Sequence, residues 1–150
     1  MDTPLIHSIL EKNRHDQAFK ISANNAALGA WFQRLGACAA IVRHFTACAT
    51  DEDATLPYGT YLGEAGLRQA HQDYPQVVDA GFVTIGFGDD GDLIVLDLFT
   101  GATGFISQET IDEGCDREDF EFADDSLSDF MKRDDEAEFE IDEPGAPDKP

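Results

Sequence analysis

The chain has 150 residues and carries 10 Lys and Arg against 31 Asp and Glu, a formal net charge of −21 at pH 7. This length is enough for one folded domain, and a composition of 42% apolar residues with 11 Phe excludes a fully disordered acidic chain. So strong a negative charge opposes contact with nucleic-acid backbones and anionic membranes, and we therefore expect neither as a partner.

Three features of the sequence bear on where the protein resides. No stretch approaches the ~18 consecutive apolar residues that a membrane-spanning helix needs. Residues 1–14 lack the basic region and the long apolar run of a secretory signal. The cysteines Cys38, Cys48 and Cys115 are odd in number and form no Cys-x-x-Cys pair, which is typical of reduced thiols. We therefore expect a cytoplasmic protein.

The N-terminal third of the chain predicts helices. Thr3 and Pro4 favour a helix start, because threonine can cap free N–H groups and proline lacks the donor that would be unpaired there. Over residues 25–49, apolar side chains recur every three or four positions. This spacing is typical of a core-facing helix, which Gly36 could divide in two.

The middle of the chain predicts a loop, a helix and then a sheet. Residues 51–59 indicate an acidic loop, and a helix over 62–74 ends before a proline. Two runs rich in β-branched and aromatic residues, 82–87 and 93–98, flank an Asp-Gly turn, which is a strong hairpin signal. A further turn precedes a third strand at 105–106. Because the run at 93–98 is apolar on both faces, we expect a middle strand covered by helices.

The C-terminal part predicts a short closing helix and a tail. Apolar side chains over 120–131 lie in an acidic background, where Asp125 or Ser126 could cap a helix. We place the folded domain at 1–140, followed by a flexible, acidic, proline-rich tail at 141–150. The predicted fold is α+β, a single domain with a twisted antiparallel sheet of three or more strands. N-terminal helices and the short C-terminal helix flank this sheet.

Several patterns resemble ligand sites but fail on their spacing. The run Gly86–Gly91 echoes a dinucleotide fingerprint, yet a strand follows it, whereas phosphate binding needs a helix N-terminus. The aspartates of this region could attract Ca²⁺, but their spacing departs from the helix-loop-helix calcium loop. His44 and Cys48 could share a helix face, although a zinc site needs two further ligands. The sequence thus predicts no metal site and no cofactor.

No catalytic arrangement is indicated either. No motif around any of the cysteines indicates an electropositive environment that would lower a thiol pKa, and no serine lies in a nucleophile-elbow motif. With 31 acidic residues, any two carboxylates could be nominated as a hydrolytic pair, and no pattern selects one. We therefore predict a protein that is not an enzyme and has no catalytic residues. A hydrolase that uses acidic residues and a divalent ion is the least favoured alternative.

The hairpin and its surroundings resemble a known family. Phe82–Leu98, the turn Thr100–Gly101 and the strand Gly104–Glu109 are similar to the core of the SUKH superfamily, which contains fungal cell-wall-synthesis regulators and bacterial immunity proteins. Phe122–Met131 looks like the final short helix of that family. The resemblance implies a compact α+β domain without catalytic residues. The residues that map onto the fold motif are Gly86, Gly88, Gly91, Asp92, Asp97 and Gly101.

These motif residues have a physical interpretation as parts of the fold. Glycine allows the positive φ of hairpin turns. Asp97 ends a strand, where its carboxylate could accept backbone N–H groups of the next turn.

The acidity and the resemblance together predict a binding function. A surface of one sign speeds encounter with an oppositely charged partner, and exposed apolar residues among the acids would anchor the interface. We expect a monomeric or homodimeric immunity protein that neutralises a basic toxin, for example a nuclease, by occlusion. The alternative is an intracellular regulatory or scaffold domain that binds peptides or signalling proteins. The predicted partner-binding residues are Asp51, Glu52, Asp53, Asp89, Asp90, Asp92, Glu118, Asp119, Glu121, Asp124, Asp125 and Asp129.

Overall fold

The structure is a computed structural model that describes residues 1–57, 59–113 and 116–133. Its helices are α1 (Thr3–Lys12), α2 (Ala26–Arg34), α3 (Ala39–Ala47), α4 (Glu64–Asp73), α5 (Pro75–Asp79), α6 (Gln108–Glu113) and α7 (residues 127–133). Its strands are β1 (Ile21–Ser22), β2 (Ala49–Thr50), β3 (Ala54–Leu56), β4 (Gly59–Tyr61), β5 (Phe82–Gly88), β6 (Leu93–Asp97), β7 (Thr103–Ile106) and β8 (Glu121–Asp124). A 3-10 turn covers Arg117–Asp119. The predicted α+β class and single domain are confirmed.

Six of the strands form one antiparallel sheet in the order β3-β4-β5-β6-β7-β8, and β1 pairs with β2 alone. The three predicted strands are β5, β6 and β7, which pair as neighbours in the predicted order. The β3–β4 hairpin lies in the stretch that was predicted to be an acidic loop. That prediction was wrong because strands of three residues are too short to show an alternating pattern.

Both faces of the central strand β6 are buried, as the apolar run predicted. One face joins the larger core, in which Ile94 and Leu96 pack with residues of α1, α2 and α3. The other face joins a smaller core, in which Leu93 and Val95 pack with Val77 of α5 and Ile111 of α6. The sheet is therefore a middle layer between helices, and an uninterrupted apolar strand is what this position needs.

The start of α1 corrects one prediction. The side chain that caps the helix belongs to Asp2, whose Oδ1 accepts the Leu5 N–H at 3.1 Å. Thr3, which was expected to cap it, is the first residue of the helix, and its hydroxyl instead lies 2.8 Å from Nδ1 of His44. Pro4 lies in the first turn, where its missing N–H leaves no hydrogen bond unmade.

The predicted division of the second helix at Gly36 is confirmed. Gly36 has φ +93°, and its N–H bonds the Gln33 carbonyl while the Ala37 N–H bonds the Phe32 carbonyl. These two bonds form a Schellman motif, which ends α2 before α3 begins at Ala39. The glycine is needed because the left-handed conformation is unfavourable for a side chain with a Cβ.

The closing segment contains a strand before its helix. The Ser126 hydroxyl accepts the Asp129 N–H at 3.1 Å, so Ser126 caps α7. The first part of Phe122–Met131 belongs to strand β8, which pairs with β7. The prediction of a helix was therefore wrong for this part of the segment. The limit at residue 140, the tail at 141–150 and Cys115 lie outside the described residues.

Two of the four motif glycines adopt the positive φ that turns require. Gly91 has φ +90° in the β5–β6 turn and Gly101 has φ +83° in the β6–β7 turn. Gly86 and Gly88 do not, which corrects the turn interpretation for them. A Cβ on Gly86 would collide with the Thr60 carbonyl of the neighbouring strand, so close packing explains this glycine.

The outer edge of β3 is covered by one side-chain amide. Gln17 Nε2 donates to the Thr55 carbonyl at 3.0 Å, and Gln17 Oε1 accepts the Thr55 N–H at 2.7 Å. These are the backbone groups that an edge strand would otherwise offer to another chain. We expect Gln17→Ala to lower the free energy of unfolding by about 1 kcal/mol and to speed hydrogen exchange at the Thr55 amide. An unchanged exchange rate at Thr55 would contradict this role.

Candidate protein-binding surface

The acidic residues predicted to bind a partner lie at three separate places around the sheet. The group at 51–53 precedes β3 at one edge, and the group at 118–129 surrounds β8 at the other edge. Five strand spacings separate these edges, about 24 Å. The third group, at 89–92, lies in the β5–β6 turn, at one end of the sheet that we call the turn end. The fold thus does not bring these carboxylates into one patch.

The β5–β6 turn presents exposed carboxylates. Asp89 and Asp90 are exposed, and Asp92 is half-buried. Asp90 Oδ1 accepts the Asp92 N–H at 3.1 Å, and the Gly91 N–H bonds the Gly88 carbonyl at 3.0 Å. Neither Asp89 nor Asp90 makes an ion pair within 1–57, 59–113 and 116–133. Their charge is therefore available to a partner.

Two of the acids before β3 hold the fold together. Asp51 Oδ1 accepts the Lys20 N–H at 2.6 Å, and this backbone bond holds the pKa of Asp51 below its ordinary value. Asp53 Oδ1 accepts the Gly63 N–H at 2.8 Å, which ties the strand to the start of α4. Both residues are nevertheless exposed, as is Glu52 between them. This group therefore keeps its charge at the surface, although two of its carboxylates each use one oxygen to hold the backbone.

The acids around β8 are divided between pairing and exposure. Arg133 Nη2 lies 2.9 Å from Asp124 Oδ2, so this carboxylate has a cation of its own chain. Glu118, Asp125 and Asp129 are exposed. The side chains of Asp119 and Glu121 lie outside the part of the chain that the structure describes.

At the opposite end of the sheet, which we call the loop end, Asp97 organises a buried polar contact. Its Oδ1 accepts the Phe99 N–H at 2.8 Å, the type of bond predicted for this position. Its Oδ2 lies 2.8 Å from Arg117 Nη2, and the Arg117 Nη1 donates to the Ala80 carbonyl at 3.3 Å. The Asp97 side chain is 4% exposed and that of Arg117 is 49% exposed. A half-exposed cation therefore covers a buried carboxylate.

Phe99 is the one large hydrophobic side chain that is exposed in the described residues, at 59%. The Arg117 guanidinium lies 4.6 Å from the ring centroid of Phe82 and 5.5 Å from that of Phe99. Gly81, with φ +95°, leaves room for both side chains, since a Cβ there would lie 3.0 Å from the Phe99 ring. The name Phe99 surface is used here for Phe99, Arg117 and Gly81, with the exposed acids Asp79, two residues before Gly81, and Glu118, which follows Arg117.

Sequence reasoning missed Phe99 and Arg117 as surface residues. In the sequence, one feature could have indicated that Phe99 is exposed: it directly follows the buried run 93–98 and lies within a turn. Nothing local indicates that Arg117 pairs with a carboxylate 20 positions earlier. Packing of the 3-10 turn against the loop end creates this contact.

The structure also describes the residues that were considered as metal ligands. No group of three or more His, Cys, Asp or Glu side chains that could hold a metal ion occurs in the described ranges. Cys38 and Cys48 are free thiols, and burial raises the pKa of Cys48 to about 11. The Cys48 thiol is therefore protonated at neutral pH, and a protonated thiol is a poor ligand and nucleophile.

None of the helices described is long and apolar enough to cross a membrane.

Comparison with known proteins returns no match to a family model, a curated protein or a solved structure. The resemblance to the SUKH superfamily therefore stays a prediction that depends on the hairpin and closing motifs.

Proposed function

We propose that this protein is a non-enzymatic acidic binding domain that recognises a basic protein. In the specific form we favour, it is an immunity protein that neutralises a basic toxin, such as a nuclease, by occluding it. The observation that carries the proposal is the net charge of −21, to which the exposed carboxylates of Asp89, Asp90, Glu118, Asp125 and Asp129 contribute. Such a surface attracts cationic partners over about a Debye length and repels nucleic acid.

A protein that occludes a toxin must associate with it quickly, and the negative charge of this protein would raise the association rate with a basic toxin. Electrostatic steering raises association rates well above the ordinary range for protein pairs. Asp89 and Asp90 make no ion pair with described residues of their own chain, so a partner would not have to displace an internal cation there. The same carboxylates would repel DNA or RNA that competes for a nuclease.

The separation of the acids supports one alternative. Because the acidic groups occupy both edges and the turn end of the sheet, several partners could approach different sides. This arrangement suits a regulatory or scaffold domain that binds peptides or signalling proteins. The two functions differ in affinity, because occlusion of a toxin calls for nanomolar binding to one partner, whereas a scaffold binds several partners at micromolar concentrations.

Capture from a lysate of the source cell, followed by measured binding, tests the proposal. The full chain is immobilised, proteins retained at low salt are identified, and the purified candidate is titrated at low and at ~0.5 M salt. One basic partner with nanomolar affinity, whose toxicity is suppressed when both are expressed together, would support the immunity role. Several micromolar partners would favour the scaffold, and the absence of any basic partner would overturn the proposal.

The turn acids allow a sharper prediction about the association rate. We expect Asp89→Asn with Asp90→Asn to slow association with the basic partner about threefold at low salt, because two steering charges are lost. The dissociation rate should stay within a factor of about two. At ~0.5 M salt the variant and the original protein should associate at equal rates, since screening removes the effect. A slower rate that persists at high salt would contradict a steering role.

A further inference from the structure

Among the described residues, the Phe99 surface differs in its chemistry from the surrounding acidic surface. It combines an aromatic ring that is 59% exposed with an arginine whose charge is already compensated. We propose that this surface anchors the interface by taking an arginine side chain of the basic partner, an inference that rests on the proposed function.

The exposed ring supplies the apolar contact. Aromatic residues at the centre of an interface carry much of its binding energy, whereas charges at the rim mainly change the association rate. Phe99 is held in place from below, because its N–H is bonded to Asp97 and its ring lies over the backbone of Gly81. A partner side chain that covers the ring would therefore meet a surface that is already ordered, and less conformational entropy would be lost on binding.

The charges around the ring select a cation. Arg117 does not repel a second cation strongly, because its Nη2 lies 2.8 Å from the carboxylate of Asp97 and the pair is neutral together. Asp79 and Glu118 are exposed and make no ion pair with described residues. Asp79 is adjacent to Ala80, whose carbonyl accepts from Arg117, and Glu118 directly follows Arg117. Both exposed acids are therefore attached to backbone that adjoins the aromatic contact.

Arginine satisfies this combination better than lysine does. Its guanidinium is planar, stacks on an aromatic face and offers several N–H donors to nearby carboxylates. Within this molecule, Arg117 already makes that contact with Phe82 at 4.6 Å. An arginine of the partner would repeat the contact on the exposed part of Phe99.

Small-molecule probes test the surface without knowledge of the partner. The full ¹⁵N-labelled chain is titrated with N-acetyl-arginine amide and, in parallel, with N-acetyl-lysine amide at millimolar concentration and ~0.15 M salt. We expect saturable shifts of the backbone amides of Gly81, Phe99 and Glu118 with the arginine probe, and smaller shifts with the lysine probe. Shifts spread evenly over exposed acids, Asp89 and Asp90 included, would overturn the proposal.

Variants at the ring separate the aromatic contact from general acidity. Phe99→Ala should abolish the localised shifts, and Phe99→Leu should weaken them because the leucine side chain keeps an apolar contact but has no ring. Phe99 is largely exposed, so both variants should stay folded. Asp89→Asn with Asp90→Asn, at the turn end of the sheet, is the matched control and should leave the arginine shifts unchanged.

The basic partner, once captured, provides the decisive comparison. We expect Phe99→Ala to raise its Kd about 30-fold, the size of a hot-spot residue, and Phe99→Leu to raise it about fivefold. If a basic partner binds tightly and Phe99→Ala does not change its Kd, the proposal that the Phe99 surface anchors the interface is wrong, whereas the proposed function still stands. Localised arginine shifts in a chain that captures no basic protein would overturn the function and leave the arginine site intact.

Discussion

Lowering the pH from 7 to 5 is expected to remove about 2 kcal/mol from the free energy of unfolding, through one buried histidine. His44 of α3 is 1% exposed. Burial, with a smaller contribution from the positive N-terminal amine, lowers its pKa from 6.5 to about 4. The folded protein therefore keeps this imidazole neutral at pH 5, whereas the unfolded chain binds a proton there.

The geometry around His44 explains why the charged form is unfavourable. Nδ1 lies 2.8 Å from the Thr3 hydroxyl, while the buried Nε2 has no hydrogen-bond partner in the described residues. Protonation would place an N–H on both ring nitrogens and create a buried charge that makes no ion pair with a described carboxylate. The stability is fully present above the unfolded pKa of 6.5 and is lost as the pH falls toward the folded value of about 4.

Two variants isolate this contribution. A phenylalanine side chain cannot titrate. In His44→Phe, position 44 should therefore no longer contribute to the change in the free energy of unfolding between pH 7 and 5, as measured by urea denaturation. The exposed His7 is the matched control, and His7→Gln should keep the full decrease. The lowered pKa values of Asp51 and Glu64 do not interfere, because the stability they contribute is lost only below their ordinary values of 3.8 and 4.5. An equal decrease in His44→Phe would contradict the assignment.

The sequence predicted the centre of this fold well because the central signals are local. Seven residues of β5 and five of β6 are joined by a turn whose Gly91 has positive φ, so strand composition and turn chemistry agree. The division of α2 from α3 at Gly36 likewise depends on one residue type in one conformation. By contrast, β3 and β4 are three residues each and are ordered by pairing with β5 and by Gln17, neither of which leaves a local pattern.

The candidate surface was predictable only in its charge. Composition alone shows that a partner must tolerate or seek acidic surfaces, but the three acidic groups are distributed by the strand order, which the sequence did not show. Asp51 and Asp53 were predicted as partner-binding residues, yet both accept backbone N–H groups. Nothing in the sequence distinguishes Phe99 from an aromatic residue of the core. Its side chain is exposed because of how the loop end of the sheet packs.

Replacing Arg117 with alanine is expected to lower the free energy of unfolding by about 2 kcal/mol. The variant would leave the Asp97 carboxylate, which is 4% exposed, with the Phe99 N–H as its remaining side-chain hydrogen bond. Removing one partner of a fully buried ion pair costs about 3–5 kcal/mol, and the half-exposed position of Arg117 lets water reach Asp97 in the variant and reduces that cost. Loss of the contact with Phe82 adds to the destabilisation.

The reverse change should cost less, and this asymmetry identifies the buried carboxylate as the source of the effect. Asp97→Asn keeps an oxygen for the Phe99 N–H and leaves Arg117 in contact with solvent, so we expect a loss of about 1 kcal/mol. Arg133→Ala is the matched control, because it removes a half-exposed arginine from the more accessible Asp124 and should cost below about 1 kcal/mol. Urea denaturation of the three variants at pH 7 measures these differences.

The double variant Arg117→Ala with Asp97→Asn completes the test. If the unpaired charge of Asp97 causes the loss in Arg117→Ala, then neutralising that charge should recover part of it, and the double variant should be more stable than Arg117→Ala alone. Additive losses would instead mean that Arg117 acts only through its packing on Phe82. Since Asp97 also holds the Phe99 N–H, Arg117→Ala should in addition broaden the Phe99 amide resonance, whereas Arg133→Ala should leave it sharp.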